Sequence, residues 1–547
     1  MKTFSKASFK KISKKDLQKV GNCDIVTNVN CRTSLPTLSN KRGAAEPDQF
    51  KYSTTVSLNY EATTNWRKKV MKKRILTALL ASAMILSVAG CDSTSEPATT
   101  TEGGAADTTT AAPVADGGDT TTAAPVADAG SDQGKVLNIY CWNTEFQERY
   151  NAYAADVGEA HGVTVNWVIN TNEGGVYQNK LDEALLAQAD AAADDKVDIF
   201  LIEADYALKY TNSPYCMNIA DLGITADDLA NQYAYTQQIV TVDGALKGVT
   251  WQATPGLFAY RRSIAKEVLG TDDPAEVQAQ ISDWTKFNDV AAKMKEAGYT
   301  MLAGYADAYR TYSNNVTTPW VVDGNLVVDD NIMKWADDTK VFQDNGYSNK
   351  DVGLWSDAWA KEQGPDGKTF GFFYSTWGIN FTLLGNALAD ANAPQEVGNG
   401  IFGDYAVCEG PQAYYWGGTW ICAATGTDNT AVIADIMKKL TCDTATMKQI
   451  TLDTQDYTNN KAAMDEIAND ASYGSAFLGG QNHIALFAAA AGNIDCSNIS
   501  AYDQLCNENF QQCMNDYFMG TVDKATALNN FYTKMKDTYP ELNVPQA

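Results

Sequence analysis

Histidine is almost absent from this chain: 547 residues include only two, His161 and His483. No His-Glu-x-x-His run occurs, and no two of the 11 cysteines stand in a Cys-x-x-Cys pair, so the spacings of metal hydrolases and dithiol redox centres are missing. There is no Gly-x-Ser-x-Gly elbow. Gly367-Lys368-Thr369 imitates the end of a phosphate-binding loop, but the glycine required five positions before Gly367 is Glu362, which removes the cradle. Positive charge is also scarce. Of 42 Lys+Arg and 67 Asp+Glu, residues 1–90 hold 17 and 5, leaving 25 basic and 62 acidic residues and a formal charge of −37 in the remainder. Such a surface repels phosphates and anionic headgroups, which excludes a nucleic acid partner and gives the bulk solubility of an exported protein. Long apolar runs are lacking too. The run Ile75 to Ala89 falls short of the roughly 20 residues that a bilayer-spanning helix needs.

That run nevertheless has a purpose. In MKKRILTALLASAMILSVAGC, Met71 to Cys91, three positive residues lead into the apolar stretch, which ends on small residues, the pattern of an export signal. Val88-Ala89-Gly90-Cys91 resembles the lipobox of bacterial lipoproteins, which implies lipidation of Cys91, removal of the signal at 71–90, and a protein held on the extracytoplasmic face of the cell membrane. Residues 1–70 have no apolar periodicity and read as a non-native or disordered extension. Residues 91–134 are Thr, Ala, Gly, Asp and Pro with a near duplication, DTTTAAPVADGG then DTTTAAPVADAG, and no aromatic residue. Too little apolar surface exists there to offset the entropy of ordering, so the segment reads as a tether with a reach on the order of 35 Å.

The remainder, 135–547, is long enough for two lobes. Val136 to Trp142, Val163 to Ile169 and Val197 to Ile202 read as strands; Phe146 to Glu159 and Tyr177 to Ala193 read as helices between them. Alternation of this kind predicts a parallel sheet with right-handed crossovers, whose ligands collect beyond the carboxyl ends of the strands. Those ends carry Trp142, Asn143 and Glu145, then Asn170 to Gly175, then Glu203 and Asp205.

Four segments carry a resemblance. KGVTWQATPGLFAYRRSIAKEVLG (Lys247 to Gly270) runs on to Ser282-Asp283-Trp284-Thr285-Lys286-Phe287; GKTFGFFYSTWG ends at Gly378; GPQAYYWGGTWICAA spans Gly410 to Ala424; Tyr517 to Thr521 precedes a last helix. In that order they are similar to elements of the extracellular solute-binding proteins of ABC importers, in the maltose-binding-protein-like group of sugar-binding lipoproteins. The resemblance departs at Arg261-Arg262, where a Tyr-Asn pair is usual, and at Phe370-Gly371-Phe372, near what would be a ligand-facing turn.

The resemblance implies an α/β, two-lobed periplasmic-binding-protein-like fold, each lobe a sheet flanked by helices, with the cleft between them. Lobe 1 would take about 135–253 and 411–475, lobe 2 about 256–407 and 476–547, with crossings near Thr254 to Phe258 and Cys408 to Gln412. It also implies a monomer that binds a carbohydrate without a cofactor, closes on it and delivers it to permease subunits. Heavy aromatic usage, 12 Trp and 27 Tyr, suits stacking on sugar rings, with acids and amides to meet the hydroxyls. Aromatics assigned to loops include Trp142, Trp251, Tyr374, Trp377, Tyr414, Tyr415, Trp416 and Trp420. The candidate ligand residues are therefore Trp142, Asn143, Glu145, Glu203, Asp205, Trp251, Tyr374, Trp377 and Trp416. A secreted glycosidase using a carboxylate pair such as Glu145 and Glu203, a binder of a non-sugar solute, and an adhesin stay open. Eight cysteines follow Cys91; Cys496, Cys506 and Cys513 are close enough in sequence to pair, yet a chain this long needs no staples, and free buried thiols are expected for most.

Overall fold

A computed structural model of the protein describes residues 134–545. The extension 1–70, the signal 71–90, Cys91 and the tether through 133 lie outside the described residues.

The first strands form where β-branched and apolar residues concentrate. Strand β1 (Val136–Cys141) pairs in parallel with β2 (Thr164–Ile169) over six residues, from Val136 opposite Thr164 to Cys141 opposite Ile169. On its other side β1 pairs in parallel with β3 (Ile199–Glu203). β2 is the edge and is half exposed, whereas β3 is buried along nearly its whole length, as a central strand covered on both faces must be. The helical stretch after β1 is broken at Ala154, giving Glu145–Tyr153 and Ala155–His161, and the second piece stops at Gly162 with φ 69°.

The sequence predicts a parallel sheet, but the sheet is mixed. After β4 (Val249–Thr250) the chain leaves it, makes β5 (Gly256–Arg261), β6 (Gly371–Ser375) and β7 (Tyr405–Cys408), and returns as β8 (Thr419–Ala423). Because β8 comes back from the far side, it runs antiparallel to both β3 and β4, and the order is β2-β1-β3-β8-β4. The second sheet, β6-β5-β7, is wholly antiparallel.

Each sheet is packed by its own helices. Thr430–Thr441 buries Val432, Ile433, Ile436, Met437 and Leu440 against the five-stranded sheet's side. In the other lobe Phe258 on β5 meets Phe287, Phe370 and Phe373, and a separate aromatic cluster joins Trp320, Trp335, Phe510 and Phe531. Helix Asp503–Phe518 belongs to this second cluster and also touches the turn Ala204–Tyr206 behind β3. Phe370, Gly371 and Phe372 are entirely buried, so this departure from the family pattern is core rather than a ligand-facing turn. The unusual Arg261 and Arg262 are braces: Arg261 Nε donates to Asp404 at 2.7 Å, and Arg262 donates to the carbonyls of Tyr405, Asp272 and Leu478.

Two of the segments that cross between the lobes, 251–255 and 409–418, pair with each other. Gly256 N donates to Tyr414 O at 2.7 Å and Trp416 N to Thr254 O at 3.1 Å. Gly256 is required there, since a Cβ would lie 2.1 Å from the Tyr414 ring. All eight described cysteines are free, seven of them buried.

Candidate functional site

The ends of the strands and the crossing segments surround a cavity of about 740 Å³. Several of the residues that deliver chemistry to it follow directly from local structure. The carbonyl of Asn143 Oδ1 accepts from Glu145 N at 3.0 Å, which turns the chain out of β1 and aims Trp142 and Glu145 inward. After β3, Glu203 Oε2 accepts from Asp205 N at 2.9 Å, capping the short turn Ala204–Tyr206 and fixing both carboxyls at the cavity. Trp377 opens the helical turn after β6; the next turn, Ile379–Leu383, is π-helical and brings Asn380 and Phe381 to the wall. Trp416 precedes Gly417 and Gly418, whose φ of 74° and 109° make the turn that seats its indole.

Seven of the nine candidates line this cavity: Trp142, Asn143, Glu145, Glu203, Asp205, Trp377 and Trp416. Trp251 and Tyr374 do not. Trp251 is 1% exposed and stacks on Phe146 at 5.4 Å, so it belongs to the packing beneath the first lobe's wall. Tyr374 lies in β6 rather than in a loop; its hydroxyl reaches Gln363 and its ring backs Trp416 at 6.2 Å, so it supports an indole from behind. Tyr414 and Trp420 are likewise buried, with Trp420 inside β8 and its Nε1 donating to Thr236 O.

Several cavity residues had no signal in the sequence. Trp355, with φ 68° and 55% exposed, stacks on Trp377 at 6.0 Å and stands 5.9 Å from Trp416, completing a group of three indoles. A bulky residue held at positive φ is strained, and such strain persists where the surroundings over-determine it. Arg310, on the helix Tyr309–Ser313, forms a two-pronged ion pair with Asp205. Gln252 Nε2 donates both to Glu145 Oε1 at 2.9 Å and to Asp456 Oδ2 at 3.1 Å, so one amide ties two carboxyls on opposite stretches of the chain.

The electrostatics follow from this crowding of acids. Burial and the neighbouring Asp456 push Glu145 up to about 7, against the pull of Arg149 and the Gln252 hydrogen bond. Burial and Asp205 push Glu203 up to about 8, although Arg310 acts the other way. Asp503, behind the ion pair, is raised to about 6 by burial. Near neutral pH, Glu203 is therefore largely a neutral acid, able to donate as well as accept.

Among the described residues no group of three or more His, Cys, Asp or Glu has metal-binding geometry, and no helix is long and apolar enough to cross a membrane. The false phosphate loop is a closed turn, in which Glu362 Oε2 accepts from Lys368 N and Thr369 Oγ1, both at 2.9 Å. His483 is buried, donates through Nε2 to Gln455 O at 3.1 Å in its neutral form, and lies outside the cavity.

Residues 152–474 match the family of bacterial extracellular solute-binding proteins. No curated protein sequence matches the chain. Among solved structures it is similar to a family 1 extracellular solute-binding protein, with a TM-score of 0.61 at 18% identity over 74% of this chain and 99% of that one. A binding protein associated with an ABC transporter of B. animalis subsp. lactis Bl-04, in complex with β-1,6-galactobiose, gives 0.57 at 17% identity over 75% and 98%. The galacto-N-biose/lacto-N-biose I-binding protein of Bifidobacterium longum, in complex with lacto-N-biose, gives 0.56 at 13% over 76% and 98%.

Proposed function

Because the chain belongs to the bacterial extracellular solute-binding proteins, we propose that it is the substrate-binding component of a carbohydrate ABC importer, held at the membrane by a lipid on Cys91. The observation that carries this reading is the cavity itself, where Trp142, Trp355, Trp377 and Trp416 supply flat apolar faces beside Glu145, Glu203, Asp205, Gln252 and Asp456. Pyranose rings present apolar faces and a rim of hydroxyls, and a buried hydroxyl left unpaired costs roughly 1 to 3 kcal/mol, so rings flanked by acids and amides answer both needs. Structural neighbours crystallised with galactobiose and lacto-N-biose support the same class.

In this reading lobe 1 comprises about 135–253 and 411–475 and lobe 2 about 256–407 and 476–547. A sugar touching both favours the closed form by its differential affinity, and the monomeric closed form is what the permease meets. The chemistry ends at binding; the protein is no enzyme.

Thermal unfolding in the presence of a library of mono- and oligosaccharides tests it. A ligand at a hundredfold excess over its Kd stabilises by about 2.7 kcal/mol, so at least one sugar should raise Tm by several degrees and be recovered unchanged. A shift with amino acids, peptides or polyamines and none with sugars overturns the reading.

A further inference from the structure

The cleft is charged in a way that a neutral sugar does not need. Its wall carries Glu145, Glu148, Glu203, Asp205, Asp456 and Glu508 against Arg149 and Arg310. Among the described residues only Asp205 of these acids has an ion-pair partner, and Arg310 spends both terminal nitrogens on it. Glu203 stands beside the indoles. A methyl group placed on Gly417 would be 3.1 Å from Trp377 Nε1 and 3.6 Å from Glu203 Oε1, so carboxyl and indole share one corner. Glu203 Oε2 is taken by Asp205 N, whereas Oε1 has no hydrogen bond among the described residues. Beside Trp377, Thr376 is 1% exposed and its Oγ1 is buried without a partner. Three indoles, one uncommitted carboxyl oxygen and an unused hydroxyl together make a seat for a cation: aromatic faces attract it through their quadrupoles, and the carboxylate neutralises it.

We propose that the corner bounded by Trp355, Trp377, Trp416, Thr376 and Glu203 binds a protonated amino group of the sugar, so that the ligand of this cleft is an amino sugar. The inference rests on the carbohydrate reading above and narrows it. An ammonium group arriving beside Glu203 favours its ionised form, and because that carboxyl is held near 8 by burial and by Asp205, it gives up a proton to solvent as the ligand binds. Asp205, Arg310 and Glu508 face the same corner. A neutral sugar leaves Glu203 protonated and releases nothing.

Titration calorimetry at pH 7 in phosphate and in Tris distinguishes the cases. The probes are glucosamine, galactosamine and chitobiose, each set against its N-acetylated and its hydroxyl counterpart. At least one amine should bind ten times more tightly than both counterparts, with net proton release read from the difference in apparent enthalpy between buffers. In Glu203→Gln the preference and the proton release should both vanish while the ligand-free circular dichroism spectrum stays the same. The conservative Glu203→Asp should keep part of both. A neutral counterpart that binds as tightly as its amine, or an amine preference that survives Glu203→Gln, overturns the amino-sugar inference and leaves the carbohydrate reading standing. Absence of binding by every sugar, with spermidine bound, overturns both.

Discussion

Arg310 grips Asp205 with both terminal nitrogens, one on each carboxyl oxygen, and thereby ties the helix Tyr309–Ser313 of the antiparallel lobe to the turn that follows β3 in the mixed lobe. The pair borders the cavity, and each side chain is about a fifth to a quarter exposed. Burial works against the arginine's charge, yet Asp205 and Glu203 more than restore it, so its pKa is raised.

Removing one partner leaves the other's surroundings uncompensated. Arg310→Ala should lower ligand-free stability by about 2 kcal/mol, between the value near zero for exposed pairs and the 3–5 kcal/mol for buried ones. Small-angle scattering should show a larger radius of gyration, because a contact between the lobes is lost. An unchanged melting curve together with an unchanged radius would show that the pair does not hold the lobes.

From Glu203, Glu145 and His483, stability should be greatest near pH 4.5 and fall towards pH 8, because over 4.5–6.5 two raised carboxyls outweigh one lowered imidazole. Glu203 has an ordinary value of 4.5 and a folded value of about 8, so the folded state holds a proton that the unfolded state has released. Its contribution is complete below 4.5 and is lost as pH rises towards 8; Glu145, at about 7, adds to the loss over the lower part of that window. His483 has the opposite sense: burial lowers it from 6.5 to about 4, so the unfolded chain takes up the proton first and its contribution falls as pH drops from 6.5 to 4. Tm measured from pH 4 to 9 checks this, and Glu203→Gln should flatten the alkaline limb alone.

Trp355→Ala should weaken sugar binding by about 1–3 kcal/mol, ten- to a hundredfold, while leaving ligand-free Tm within a degree or two, since the ring is more than half exposed. Trp377→Ala should lose similar affinity with a modest loss of stability, because its Nε1 donates to Trp416 O at 2.9 Å. A buried tryptophan such as Trp251 cut to alanine behaves differently, losing about 3–5 kcal/mol of folding free energy with or without ligand. Calorimetry and ligand-free melting on the three variants separate the two patterns.

Gly256→Ala should destabilise by about 1–3 kcal/mol or more, because the added methyl meets the Tyr414 ring at 2.1 Å inside a paired segment that has little room to yield. Chemical denaturation reads the loss directly.

Cys91→Ser should abolish lipidation and release the protein into the medium. Mass spectrometry of the native N-terminus decides the matter, and an unmodified chain beginning at Met1 would sink it.

The parts of the molecule legible in the sequence are those written in local pattern. β1, β2 and β3 appear as short apolar runs, and their carboxyl ends lead to Trp142, Glu145, Glu203 and Asp205 by a general rule of open sheets. The reversed β8 was not legible, because strand direction depends on which side the chain returns from and not on composition. Arg310, Trp355 and Asp456 were missed for a related reason: each reaches the cavity from an irregular segment or short helix, and nothing local distinguishes it from the other acids, arginines and tryptophans of this chain. Trp251 and Tyr374 fall outside the cavity, because an aromatic near a motif says nothing about which side of a wall it occupies. Tyr374 alternates into the core from a strand whose residues are all buried.

The pairing of the two crossing segments has a mechanical result. Two strands joined by Gly256 N to Tyr414 O and Trp416 N to Thr254 O resist shear and independent twisting, as single linkers do not, and they bend readily only across their common width. A ribbon of this kind favours relative motion of the lobes about an axis close to itself. Trp416 is part of the ribbon. Its indole, with Trp377 bonded to its carbonyl, therefore lies close to the axis and travels little as the lobes turn, whereas Trp142, beyond the end of β1 on the mixed sheet, sweeps through a larger arc. A ring that lands on Trp416 makes the same contact at every angle of opening, so it gains affinity without favouring closure; the force that shuts the cleft has to come from residues farther out on the lever.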